Sequence, residues 1–381
     1  DRSEDTAAVA SAIRSLYLPW LENAAHHLQS LVKPTTTQIP PPPHLPQDGE
    51  CILFADGLRF DLGQILLQTM NQRSWQVDSD WQWVALPPVT ATSKPAISPI
   101  AKTLQGSASS QDFRPEISAS SKPLTPDRFA SLMAEHGIQI LSRSETGDPK
   151  GKAWTEFGDI DHYGHEHGAQ LAQQIPSQLR ALINRIEALL EAGWTKVHII
   201  TDHGWLLMPG GLPKFTFPKF LTETYWGRCA ILRETSITEA ITIPWHWSSE
   251  VTLALTPGIG CCRAGTEYAH GSISLQECVT PSFSISLGLP VSTATLENVQ
   301  WVGLRCRITI NNPVEGLQAD IRRKPADPTT SLADGGKVIS QQGKTSLAIE
   351  DDRTEGESAV VVLLDAQGTV IHKQATIIGG E

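Results

Sequence analysis

The chain has 381 residues, 40% of them hydrophobic and 19% charged, with a net charge of -11. That is a globular composition long enough for two domains, with three as the upper expectation. The acidic balance argues against a broadly basic surface coating nucleic acid, though not against a local basic groove. No run of about 18 apolar residues occurs, so no membrane span and no membrane partner are expected, and a cytoplasmic location follows as the expectation. The opening "DRSEDTAAVASAIRSLYLPW" carries no signal-peptide pattern and reads as an internal cut in a longer protein.

Residues 7–33 predict a helix, with Val9, Ile13, Leu16, Leu18, Trp20 and Leu21 at roughly helical spacing. "KPTTTQIPPPPHLPQDG" follows, and its four consecutive prolines predict an extended spacer. "CILFADG" then reads as a buried parallel strand ending in a turn, "LGQILLQTM" as a helix and "WQWVAL" (81–86) as the next strand. The Ser- and Pro-rich residues 104–127 predict a long surface loop. "DRFASLMAEHG" predicts a helix and "IQIL" a strand. Residues 176–192 predict a helix with Pro176 in its first turn, an apolar stripe through Leu179, Leu182, Ile183, Ile186, Leu189 and Leu190, and Gly193 as its stop. "KVHII" (196–200) is the strand after it. This alternation predicts an α/β domain with a mostly parallel sheet. From about residue 283, "FSISLGL" and the short β-rich segments after it predict a separate antiparallel β-sandwich. Cys51, Cys229, Cys261, Cys262, Cys278 and Cys306 make no CxxC pair, so buried free thiols are expected rather than a zinc finger or disulfides.

Chemistry concentrates in a few places. Asp56 closes "ILFADG" at the C-terminal edge of a strand, where open α/β sheets bind ligands, although Asp-Gly is also an ordinary turn. "DIDHYGHEHG" packs Asp159, Asp161, His162, His165, Glu166 and His167 together, and Asp161 and His165 would share one helix face. Such mixed ligands suit zinc, manganese or iron. In "ITDHGW", Asp202 and His203 can reach one ion only where the strand ends, and Gly204 is expected to supply the freedom to turn there. His270 precedes a possible capping box, Ser274 to Glu277.

In chain order, "FADGLRFD", "LPPVTATSKPAISP", "DIDHYGHEHG", "ITDHGW" and "YAHGSISLQECVTP" resemble the alkaline phosphatase superfamily, and specifically the PglZ domain of bacterial phage-exclusion (BREX) systems. The resemblance covers about residues 50–285. It implies an alkaline-phosphatase-like mostly parallel sheet flanked by helices over 49–285; the helical segment and spacer (1–48) carry no such match, and the tail (286–381), expected as an immunoglobulin-like β-sandwich, resembles the region after such domains weakly. It implies two divalent metal ions, zinc first and manganese as the alternative. Asp56, Asp202 and His203 would hold one, Asp161, His165 and His270 the other. Thr90 would be both nucleophile and metal contact; spacing alone leaves Thr92 and Ser93 open, and His162 and His167 serve as fallback ligands. Arg59 and Lys214 are the candidate substrate contacts. The implied activity is a metal-dependent phosphatase or phosphodiesterase of an anti-phage system, acting on a phosphate ester such as a nucleotide or nucleic acid and working beside other defence proteins. Two cations about 4 Å apart would offset the charge that a phosphate ester presents to an attacking alkoxide. A covalent phospho-threonine and its hydrolysis would follow. The competing reading is a scaffold module with a vestigial site.

Overall fold

The computed structural model describes residues 2–32, 40, 42–73, 75–108, 110, 112–217, 222–232, 240–287, 294–313, 316–333, 337–340, 342–365 and 368–380. Part of the Pro-rich spacer (33–39 and 41) and the end of the "GGLPKFTFPK" loop (218 and 219) thus lie outside the described residues. The chain forms two compact units, Asp1–Leu287 and Gly288–Glu381.

The first unit is built on a six-stranded sheet. Its strands are β1 (Glu50–Phe54), β2 (Trp75–Trp83), β3 (Ile138–Leu141), β4 (Lys152–Glu156), β5 (Lys196–Ile200) and β6 (Val279–Leu287). They lie in the order β2-β6-β5-β1-β4-β3. β1, β3, β4 and β5 pair in parallel, and β6 runs antiparallel to both its neighbours.

The central strand β1 explains why the sheet must be covered on both faces. Alternate residues point to opposite sides, and all four from Cys51 to Phe54 are buried. Cys51 and Leu53 join a core with Leu62 and Leu66 of α2 (Phe60–Met70) and the stripe of a long later helix, Leu171–Glu191. Ile52 and Phe54 join a second core with Trp154, Phe129 and Met133. The remaining helices are α1 (Arg2–Leu31), α3 (Thr90–Ile97), α4 (Pro126–Glu135), α5 (Ile160–His167), that long helix as α6, and the single turn α7 (Leu275–Cys278). A four-stranded antiparallel sheet, built from 222–225, 229–232, 241–245 and 248–255, completes the unit.

Several sequence expectations need correction. Helix α1 buries Leu21 and Ala25, but Val9, Ile13, Leu16 and Trp20 of the expected stripe are exposed. Strand β2 begins at Trp75 and stops at Trp83, because its register is set by nine consecutive pairs with β6. The expected loop over 104–127 contains three short strands (104–105, 116–117, 122–123) and a fully buried Phe113. Helix α6 begins at Leu171, so Pro176 lies inside it. The "FSISL" part of the expected β tail belongs elsewhere: Val279–Leu287 is a strand of the main sheet. The expected apolar stripe of α6 is buried, and Gly193 follows the helix at φ +105°.

The second unit holds two antiparallel sheets, one of 295–302, 305–311 and 344–348, the other of 337–338, 318–322, 358–364 and 370–377. One apolar core draws on both, with Trp301, Ile308 and Leu347 from the first and Ile321, Val361 and Leu363 from the second. Among the described residues every cysteine is a free thiol, and all but Cys262 are buried. No helix among them is long and apolar enough to cross a membrane.

Candidate metal centre

The C-terminal edge of the sheet gathers the polar groups. Strand β1 leads into Asp56 and β5 into Asp202 and His203. The loop after β4 leads into α5, which carries Asp161 and His165 one turn apart. Thr90 is the first residue of α3. His270 arrives through a short antiparallel pairing of Tyr268 and Ala269 with Leu207 and Leu206, which ties it to the chain just after His203. The two strand-end loops are laced together. The Leu58 N–H donates to Thr201 Oγ1 at 3.0 Å, and Trp205 Nε1 donates to the Gly57 carbonyl at 2.8 Å.

Gly57, directly after Asp56, sits at φ +69°, where only glycine is unstrained. Gly204 has a different reason from the one expected. It is absent from the left-handed residues; instead a Cβ there would collide with the Gln276 carbonyl and press on Arg59. The glycine lets the Asp-His loop pass close under α7. That segment is itself pinned by the capping box: Ser274 Oγ donates to Glu277 Oε2 at 2.6 Å, and the buried Arg228 guanidinium donates to Glu277 Oε1 at 2.9 Å.

Two groups of potential ligands form around His203: Asp56, Asp202 and His203, and Asp161, His203 and His270, with the ligand atoms of each group within 4.8 Å of one another. His203 Nε2 lies 3.5 Å from Asp202 Oδ2 and 3.8 Å from Asp56 Oδ1. His270 Nε2 lies 3.4 Å from Asp161 Oδ1 and 3.0 Å from His165 Nε2, and His165 Nε2 is 3.5 Å from Asp161 Oδ2. The His203 and His270 rings stack at 3.8 Å between centroids. Asp202 and His203 are fully buried.

The tautomers follow from the hydrogen bonds. His270 Nδ1 faces the Pro88 carbonyl at 2.8 Å and His203 Nδ1 the Gly204 carbonyl at 3.1 Å. A carbonyl only accepts, so both Nδ1 atoms carry a proton and both Nε2 atoms point into the cluster, the arrangement second-sphere carbonyls impose on metal-binding histidines. Burial, then the neighbouring His203, pushes His270 down to about 3, so it stays neutral. Burial also lowers His165.

The carboxylates make the case for cations. Asp56 Oδ1 and Asp202 Oδ2 are buried without a hydrogen-bond partner. Such orphaned oxygens are costly unless something compensates them. Burial, then the charges of Asp202 and Asp161, pushes Asp56 well above the usual carboxylate range; burial raises Asp202 as well. Three acids thus converge on imidazoles whose Nε2 atoms face inward. This donor set, with mixed N and O atoms, fits two divalent cations.

Thr90 Oγ1 donates to His203 Nε2 at 3.1 Å. The alternatives are occupied elsewhere: Thr92 Oγ1 donates to the Phe113 carbonyl at 2.9 Å and Ser93 Oγ to the Ala85 carbonyl at 2.9 Å, both side chains fully buried. His162 and His167 are drawn outward to Glu166, at 3.3 and 3.7 Å. Arg59 pairs with Asp61 at 2.6 Å and lies 3.9 Å over the Trp205 ring. Lys214 donates to the Cys262 carbonyl. The structure therefore engages both expected substrate contacts in other interactions.

Two residues escaped the sequence reading. Tyr268 donates its hydroxyl to Asp161 Oδ1 at 2.8 Å, fixing that carboxylate. Lys94 follows Thr90 by four residues on α3, pairs with Glu156 at 2.6 Å and faces the Phe54 ring at 5.1 Å. It helps line a cavity of about 550 Å³ beside Thr90, together with Arg114, Phe129 and Trp226. A second cavity of about 570 Å³ opens at Asp56 between Arg143, Glu156 and His162. The (i, i+4) spacing of Thr90 and Lys94 was the available signal for the lysine; nothing local marked Tyr268.

No protein-family model matches the chain, and no curated protein matches it. Among solved structures, murine ectonucleotide pyrophosphatase/phosphodiesterase 5 aligns over 63% of this chain and 88% of its own, with a TM-score of 0.42 and 10% sequence identity. An inactive form of the same murine protein in complex with AMP aligns over the same shares, with a TM-score of 0.42 and 9% identity. Likeness that distant says nothing about chemistry, which lives in the site.

Proposed function

We propose that the first unit is a metal-dependent phosphoric ester hydrolase of the alkaline phosphatase superfamily, acting on a phosphodiester or phosphomonoester with Thr90 as nucleophile. The observation that carries this reading is the pair of orphaned, buried carboxylate oxygens on Asp56 and Asp202, set against two imidazoles whose Nε2 atoms face inward. Asp56, Asp202 and His203 would hold one cation, and Asp161, His165 and His270 the other. Divalent cations at such a site neutralise the phosphoryl oxygens and lower the pKa of a nearby hydroxyl.

The chain's own groups do the rest. Thr90 presents Oγ1 from the N-terminal end of α3, where the helix dipole favours negative charge on the hydroxyl and on an approaching phosphate. Thr90 Oγ1 lies 3.1 Å from His203 Nε2, which places the oxygen beside the atom that would ligate a cation. Attack forms the Oγ1–phosphorus bond and breaks the bond from phosphorus to the leaving ester oxygen, which departs as an alcohol while the threonine proton passes to solvent; water then cleaves the phospho-threonine, restoring the hydroxyl and releasing phosphate from a monoester or a phosphate monoester from a diester. Tyr268 holds Asp161, and the Pro88 and Gly204 carbonyls hold the two imidazoles, so little reorganisation is needed. Arg114, Phe129 and Trp226 line the adjoining cavity beside the Lys94–Glu156 ion pair, so Arg114 and the two rings are the groups there suited to an anionic substrate with a flat or apolar part.

Zinc is the first expectation for the metal. A role among phage-exclusion proteins rests on the motif resemblance alone, and the immunoglobulin-like reading of the C-terminal unit is supported by its two sheets sharing one core. The reading is tested by hydrolysis of bis(p-nitrophenyl) phosphate and p-nitrophenyl phosphate before and after chelation. Activity on at least one ester should vanish with the chelator and return with Zn²⁺ or Mn²⁺. Chelator-resistant turnover, or none with any divalent cation, would sink it.

A further inference from the structure

At the opposite end of the sheet, a second group of ligating atoms has no part in the site described above. His44, Glu50 and His198 place their ligand atoms within 4.8 Å of one another. Glu50 opens β1, six residues before Asp56, so the group lies roughly 20 Å from that carboxylate along an extended strand. His198 is in the middle of β5, and His44 belongs to the segment that enters β1.

The distances are those of ligands around one small cation. Glu50 Oε2 lies 3.1 Å from His44 Nε2 and 3.4 Å from His198 Nε2. Two ligands each about 2.0–2.1 Å from a tetrahedral zinc stand about 3.3 Å apart. The His44 and His198 rings face each other at 3.8 Å between centroids. His198 Nε2 is buried and makes no aligned hydrogen bond, although the residue is only 7% exposed. Its other nitrogen is engaged by Ser284 Oγ at 2.8 Å. Ser284 Oγ can donate or accept; when it accepts from Nδ1, the His198 Nε2 lone pair faces Glu50 Oε2, a contact that a cation between them makes favourable. Glu50 is steadied for this task by the Gln47 N–H, which donates to Oε2 at 2.9 Å.

We propose that His44, Glu50 and His198 bind a single zinc ion that clamps the entry segment to the N-terminal edge of the sheet. Three protein ligands leave a fourth position for water. Nothing in this proposal depends on the hydrolase site.

The full chain, stripped with a chelator and dialysed, is titrated with Zn²⁺ beside His44→Ala, Glu50→Gln and Asp202→Asn. His44 is partly exposed on the entry segment, so its loss leaves the fold in place. The parent should bind one zinc equivalent more than His44→Ala and Glu50→Gln, or bind that equivalent at least tenfold more tightly. With Co²⁺ as the probe, the visible absorption of the parent should lose one component in His44→Ala and keep it in Asp202→Asn. Equal zinc counts and affinities for the parent and both clamp variants would overturn the proposal. An unchanged zinc count in Asp202→Asn bears instead on the hydrolase site, so the two claims fail separately.

Discussion

Asp202→Asn is expected to lower phosphodiester hydrolysis by about 10³-fold or more, an apparent barrier increase of about 4 kcal/mol, while raising the melting temperature of the metal-stripped protein. The two effects have one cause. Asp202 is fully buried, its Oδ2 has no hydrogen-bond partner, and Asp56 and Asp161 lie near enough to push against its charge. Without cations the negative charge is a liability that the isosteric amide removes. With cations the same charge is the binding energy, so the order of stability should invert: the loaded parent melts above the loaded variant. Thermal unfolding with and without chelator measures both halves. A variant that is less stable than the parent in the stripped form, and equally active in the loaded one, would mean that Asp202 is a structural hydrogen-bonding residue.

Thr90→Ala should abolish turnover by about 10³-fold or more, whereas Thr90→Ser should stay within about tenfold of the parent, since the serine retains the attacking oxygen. The proposal falls on this hydroxyl because its neighbours are spent. Thr92 and Ser93 hold the Phe113 and Ala85 carbonyls deep in the unit, and Thr90 alone of the three faces His203. Acid-quenched turnover followed by peptide mass spectrometry should find the phosphoryl group on Thr90. Full activity in Thr90→Ala, or phosphate mapped to another residue, would remove it from the role.

The parts of the site that were legible in the sequence are those where chemistry is written next to a strand signal. "ILFAD" and "HIITDH" pair continuous apolar runs with acids at their ends, and continuous burial on both faces is what a central parallel strand demands. The helical spacing of Asp161 and His165 was equally local. Other features depend on segments far apart. Tyr268 reaches Asp161 across 107 positions, so no window of sequence could expose it. Strand β4 is five residues with charged ends, too short for a clear pattern, yet its middle three are fully buried beside β1. The alternation in "FSISL" is genuine strand periodicity, but periodicity does not say which sheet the strand joins; pairing with β2 and β5 decides that. Gly204 shows the same limit, since its need for a missing Cβ comes from the Gln276 carbonyl, not from its own backbone angles. Arg59 was near the site in sequence, but Asp61 and Trp205 claim it first.

The central claim is that the carboxylates and imidazoles at the C-terminal edge of the sheet are a two-cation site. Crystals of the zinc-loaded protein, with diffraction data collected on both sides of the zinc absorption edge, test it most directly. Two anomalous peaks are expected about 4 Å apart, one between Asp56, Asp202 and His203, the other between Asp161, His165 and His270. An absence of anomalous density at these residues, with ordered waters hydrogen-bonded to Asp56 Oδ1 and Asp202 Oδ2 in its place, would contradict it.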